Sequence, residues 1–288
     1  MMRHSNRNWY LIFFLLGACT RSGVRQTPSP LPLPAIPNPP VALPAGDAWT
    51  FNYSSGTATY QVARSAAVES QLDLGLRREI STNATHELLI LDAKKDTIRF
   101  TAVVDTFSTT TQGLIGPAQV VQLPVKISGL LTSDSLFVES DSLSDGCSPV
   151  RSALVTDLHN LLVRFPGPLS KGLRWRDSTE LTGCQGMIPT TAQIIKSYLV
   201  SGVVEYQGSS VLVVQRADTV RARGEGAQQQ HRITIDVNGT GNATYYIDLK
   251  DQSITRLVSD EDLRFTIVAA GRTNRFRQSL KQDFSLLR

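Results

Sequence analysis

From Trp49 onward the chain is a succession of short runs rich in β-branched and aromatic residues, separated by polar or glycine-bearing turns. Such residues suit a pleated, half-buried surface. Ile98–Phe107 is one run. Val120–Ile127 is another, in which Val121, Leu123, Val125 and Ile127 alternate with Gln122, Pro124 and Lys126. Period-two alternation puts one face of a strand in a core and the other in solvent. Pro124 cannot donate to a ladder, which predicts an edge strand or a bulge there. The same reading predicts strands at Trp49–Tyr53, Thr57–Glu69, Glu87–Leu91, Leu136–Ser140, Arg174–Leu181, Gln193–Tyr206 and Val211–Arg216. It predicts more at His231–Val237, Thr244–Leu249, Ile254–Ser259, Arg264–Ala269 and Asn274–Phe284. Tyr206–Ser209 and Leu249–Gln252 read as turns, the second a tight hairpin. The series predicts a mainly β fold, a large curved antiparallel sheet or half-barrel.

One stretch breaks the pattern. Ser148 offers an N-cap and Pro149 a first helical residue. Leu154, Leu158, Leu161 and Leu162 then fall at i, i+4, i+7 and i+8, an apolar helical stripe, before Pro166-Gly167-Pro168 ends it. A single mid-chain helix over about 148–165 follows. A loose echo, Tyr60-Gln-Val62 against Tyr198-Leu-Val200, raises the possibility of two related halves, 46–147 and 166–288, around that helix.

Ahead of this β-rich globular domain (46–288), Thr27–Pro44 holds eight of the 14 prolines. Proline fixes φ and lacks an N–H, so the run forms neither helix nor sheet. Extended at about 3.1 Å per residue, it is a semi-rigid spacer of roughly 50 Å. Before it, Arg3 and Arg7 make a positive segment and Trp9–Leu16 an apolar core of eight residues. That length suits a signal peptide and is too short for a permanent span. Leu16-Gly17-Ala18-Cys19 resembles the bacterial lipobox. The resemblance implies a signal peptide at 1–18, acylation of the Cys19 thiol, and a lipidated tether over 19–45. It also implies an anchor in the cell envelope, facing periplasm or cell surface. By the same resemblance, Thr20 in place of an Asp after the anchor implies the outer membrane rather than the inner. Gly17 stands where Ala or Ser is usual, and cleavage after Ala18 by an ordinary secretory route is the alternative.

With Cys19 acylated, Cys147 and Cys184 remain. In an oxidising compartment they are expected to form a disulfide, with two free thiols or a metal site as alternatives. Removing Arg3 and Arg7 leaves 27 basic against 25 acidic residues, a formal charge of +2. No basic cluster interleaves with aromatics, so a nucleic-acid partner is not expected. No later run of 18 apolar residues predicts a second span.

Catalytic motifs are absent. His86, His159 and His231 are far apart and outside any zinc spacing. His159 reads as a helix-surface residue, His86 and His231 as exposed residues at strand beginnings. Gly224-Glu-Gly226 and Gly239-Thr-Gly241 are too short for a dinucleotide fingerprint and read as turn or hairpin-end glycines. Asp260-Glu261-Asp262 reads as a hairpin tip rather than a calcium loop. Asn52, Asn83, Asn238 and Asn242 fit a glycosylation pattern by surface composition alone. No catalytic residue, metal ligand or cofactor is assigned.

Gly239–Thr255, with Asp248 ending one strand before Leu249-Lys-Asp-Gln-Ser leads into the next, resembles a hairpin of uncharacterised bacterial lipoproteins and of LolA/LolB-like periplasmic proteins. That resemblance implies a curved antiparallel sheet wrapped on a helix, with an apolar cavity for acyl chains. The mid-chain helix and the larger domain depart from that family. The expectation is a membrane-anchored, non-enzymatic envelope lipoprotein. It would bind a hydrophobic or other small ligand, with Trp49 and Trp175 as candidate lining residues, or dock an envelope partner. An envelope hydrolase with a spatially assembled site, or a purely structural lipoprotein, is the alternative.

Overall fold

The alternating runs pair into one antiparallel sheet of eleven strands among the described residues. The computed structural model describes residues 48–72, 75–94, 97–112, 123–133, 135–139, 149–185, 188–228 and 231–287. Cys19, the proline run and Cys147 lie outside them. A first meander comprises β2 (Gly56–Leu72), β3 (Gly75–Lys94), β4 (Thr97–Gln112), β5 (Val125–Thr132) and β6 (Leu136–Val138). A second comprises β8 (Arg174–Gln185), β9 (Ile188–Tyr206), β10 (Ser209–Gln228), β11 (His231–Asp248), β12 (Ser253–Ala269) and β13 (Arg272–Leu287). β13 pairs with β2, Phe284 opposite Val62, and joins the two meanders. The edges of the sheet are therefore β6 and β8. Two short strands, β1 (Ala48–Trp49) and β7 (Leu169–Ser170), pair with each other.

The sheet curves into a half-barrel. Bulges at His86/Glu87, Val213/Val214 and Tyr246/Ile247 add local twist and bend. The helix α1 (Pro149–Leu161) lies between the two sides of the opening, touching β4 and β5 on one and β8 on the other. Val150, Leu154, Leu158 and Leu161 are buried with Tyr60, Val62, Phe100, Ile127, Leu212, Tyr245, Leu257 and Phe284 in one core drawn from both meanders. A second apolar cluster on the same inner face, including Ile233, Ile235, Phe265 and Ile267, covers the far ends of β9–β13. The tight turns form as expected. Gln207 and Gly208 both have positive φ (52° and 77°), and Asp248 Oδ1 accepts from the amides of Lys250 and Asp251.

Several expectations are corrected. The segments at 231–237 and 244–249 are one strand, β11, and those at 254–259 and 264–269 are one strand, β12. Gly239 and Gly241 are thus mid-strand, not at hairpin ends. A Cβ on Gly239 would meet Asp262 O at 2.3 Å and Leu263 Cδ2 at 2.6 Å, so glycine permits close approach of β12 where the sheet coils. Gly239→Ala is expected to destabilise by about 1–3 kcal/mol, measured as a shifted urea midpoint. Asp260–Asp262 lies in the middle of β12, not at a hairpin tip. There Asp262 pairs outward with Arg277 on β13 at 2.8 Å. Pro124 is on neither an edge strand nor a bulge. It precedes Val125, where the β5 ladder with β4 starts, so its missing N–H costs that ladder nothing. His86 is exposed but lies within β3, while His231 is exposed at the start of β11. Of the run expected at Trp49–Tyr53, only Trp49 is strand, paired within Ala48–Trp49. The helix stops at Leu161, short of the expected 165, and the Tyr53 hydroxyl lies 3.1 Å from Leu161 O and 3.0 Å from Val163 O just beyond it.

Candidate functional site

Along the inner wall the strands put polar side chains at equal height, and α1 presents Asp157 and Asn160 to them. The result is a buried polar belt between the two apolar clusters. On one side, Arg64 of β2 is the hub. Its Nη2 donates to Glu87 Oε1 at 2.7 Å and to Asp157 Oδ2, and its Nη1 donates to Thr85 Oγ1 at 2.9 Å and Asn83 Oδ1 at 3.3 Å. Asp157 Oδ1 also accepts from Gln282 Nε2 at 3.4 Å. Burial drives the Asp157 carboxyl well above its ordinary value, against the pull of Arg64.

On the other side the hub is Arg216 of β10. Its Nε and Nη2 donate to Asp218 Oδ2 at 3.0 and 2.8 Å, and its Nη1 to Asn160 Oδ1 at 3.0 Å and to the Tyr245 hydroxyl. Tyr245 in turn donates to Asn160 O at 3.1 Å. Burial raises the Tyr245 hydroxyl to about 12. Lys196 donates from Nζ to His159 O at 2.8 Å, and its ammonium is lowered to about 7, first by burial and then by Arg216. His159 is half-buried rather than a surface residue. Its imidazole is lowered to about 4, first by burial and then by the neighbouring cations Lys196 and Arg164.

The belt is incompletely satisfied. Arg64 Nε, Asn160 Nδ2 and Asp218 Oδ1 are buried without a hydrogen-bond partner among the described residues. A buried polar atom left without a partner costs free energy unless a water reaches it. Beside Arg64, Val104 and Leu154 a void of about 10 Å³ remains, room for a single water at most. The space between the two sides of the half-barrel is occupied by α1, whose Val150, Leu154, Leu158 and Leu161 pack into the apolar core. On the opposite face of the sheet, the exposed side chains of Arg174, Arg176, Gln215 and Asn242 line an open trough of about 840 Å³.

Trp175 of β8 faces the core, stacked on Tyr198 with ring centroids 4.6 Å apart and planes 3° apart. Trp49 packs half-buried against the same core in β1. Cys184, half-buried near the end of β8, carries a disulfide. Among the described residues no three His, Cys, Asp or Glu side chains converge on a metal-binding point. Sequence reasoning missed the belt. Its one available signal was the placing of Arg64, Arg216 and Asp218 at inward positions of otherwise apolar strand faces.

No protein-family model and no curated protein matches the chain. Among solved structures, an outer membrane channel of Pseudomonas putida F1 is similar at 8% identity over 85% of this chain and 100% of that one, with a TM-score of 0.23. A loop-deletion mutant of OmpT, an outer membrane protein of Vibrio cholerae, is similar at 9% identity over 81% of this chain and 99% of that one, with a TM-score of 0.20. The translocator domain of the autotransporter NalP from Neisseria meningitidis is similar at 10% identity over 81% and 89%, with a TM-score of 0.20. Scores this low carry no argument about this chain.

Proposed function

We propose that the chain is a lipid-anchored, non-enzymatic lipoprotein of the cell envelope, held at the outer membrane through Cys19, whose half-barrel binds a hydrophobic ligand. The observation that carries the ligand reading is the opening between β6 and β8. An apolar inner wall is covered there by a single 13-residue helix held on an under-satisfied polar belt. A ligand with alkyl chains would lie on Val62, Leu212, Leu257 and Phe284 when α1 moves aside, exchanging one apolar occupant for another. The LolA/LolB-like resemblance of the β11–β12 hairpin supports the same reading. Trp49 and Trp175 then serve as core residues at one end of the wall.

The test is titration of the detergent-free protein with the apolar fluorophore 1-N-phenylnaphthylamine, followed by competition with palmitate. Saturable uptake displaced by palmitate is expected. Absence of saturable uptake sinks the ligand reading and leaves docking of an envelope partner. The anchor is tested separately by mass spectrometry of the mature N-terminal peptide, which should carry acyl chains that Cys19→Ser abolishes. We further propose that Cys184 bridges to Cys147. A Cβ on Gly183 would lie 3.7 Å from Ser152 Oγ, so the start of α1 is already beside that stretch of β8.

A further inference from the structure

We propose that residues 48–55, the direct continuation of the proline-rich tether, act as a strap that latches the C-terminal end of α1 into the half-barrel. The segment is extended, with Trp49, Phe51 and Tyr53 turned inward and half-buried and Thr50, Asn52 and Ser54 exposed. It is fastened at three points along its length. Ala48 and Trp49 pair with Ser170 and Leu169, just beyond the helix. The Asn52 amide donates to Gln252 Oε1 at 3.0 Å, on the turn between β11 and β12. Ser55 Oγ accepts from the Ala93 amide at 2.9 Å, near the end of β3. The strap thus crosses from one meander to the other.

Between those points Tyr53 holds the helix end directly. Its hydroxyl lies within 3.1 Å of Leu161 O, a carbonyl that the last helical turn leaves without an intrahelical partner, and of Val163 O, two residues past the helix. Phe51 packs edge-on against Tyr53 (4.9 Å) and against Phe165 (4.8 Å). From Phe165 the ring contacts continue to Trp175, Tyr198 and Tyr245, over whose ring Arg216 of the polar belt lies at 5.6 Å. One contiguous set of packed rings therefore links the strap to the hub that grips Asn160 of α1. Releasing the strap unties the carbonyls of the helix end and removes the aromatic wall on which the belt rests. The rest of the sheet keeps its ladders.

The latch stands on the fold alone; what it would admit rests on the proposed ligand reading. The test is hydrogen exchange on the full chain, comparing the parent with Tyr53→Phe, which removes only the hydroxyl, and with Trp49→Ala/Phe51→Ala. Amides of residues 154–161 are expected to exchange about tenfold faster in Tyr53→Phe, with those around Tyr245 and Leu257 unchanged. Uniform acceleration across α1, β11 and β12, or none in α1, overturns the strap. If the double variant does not fold, Tyr53→Phe alone decides. The same variants are titrated with 1-N-phenylnaphthylamine. Faster helix exchange without probe uptake refutes the ligand reading while leaving the strap in place.

Discussion

Replacing Arg64 with alanine is expected to destabilise the protein by about 3–5 kcal/mol, read as a lower urea midpoint with an unchanged slope. The Arg64 side chain is 5% exposed, and those of Glu87 and Asp157 4% and 0%. Without the guanidinium, Glu87 is an uncompensated buried carboxylate and Thr85 and Asn83 lose a donor. Burial already pushes the Asp157 carboxyl up against the pull of Arg64, and loss of the guanidinium pushes it up further. A buried ion pair is costly to break but not costly to replace. The triple variant Arg64→Met, Glu87→Leu, Asp157→Leu is therefore expected to recover most of the loss. Equal destabilisation of the single and triple variants would show that volume, not the unpaired charge, dominates at this site.

Acidification is expected to remove stability through His159. Its folded value, about 4, lies below the ordinary 6.5, so between those values the unfolded chain binds more protons than the folded one. This contribution is fully present above pH 6.5 and is lost as pH falls to 4, with a size of order 3 kcal/mol. Asp157 and Glu261, raised by burial, act with the opposite sign. Their contributions are fully present below the unfolded carboxylate range and decline as pH rises through the folded values. The informative quantity is thus the difference between the parent and His159→Asn at pH 7, 5.5 and 4. Parallel curves would count against a folded neutral imidazole. On the alkaline side Lys196, lowered to about 7, makes stability rise between pH 7 and 10.5, and Lys196→Met should flatten that limb.

Strand content and the helix were legible because both follow from local periodicity. Val125-Lys126-Ile127 keeps its two-residue alternation and Leu154 to Leu162 its 3.6-residue repeat in the folded chain. Strand ends were less legible where glycines sit in the interior. Gly239 and Gly241 read as turns, since the signal for a turn and for close strand approach is the same residue, and only the neighbour at 2.3 Å distinguishes them. The acidic triplet 260–262 read as a tip because three adjacent carboxylates rarely occupy a mid-strand position. Asp262 is accommodated there by Arg277 one strand away, a partner invisible at the level of local sequence.

By itself the sequence determined that the chain is mainly β with one helix. Its signal, lipobox and proline run define an export and tethering expectation that depends only on contiguous residues. The tertiary structure decided the rest. Arg64, Asp157 and Gln282 are far apart along the chain and meet only because β2 pairs with β13 while α1 drops between the sides of the half-barrel. Likewise Tyr53 reaches Leu161 across 108 residues. A buried charge is tolerable only where its partners converge, and that convergence is a property of register and closure rather than of any local pattern.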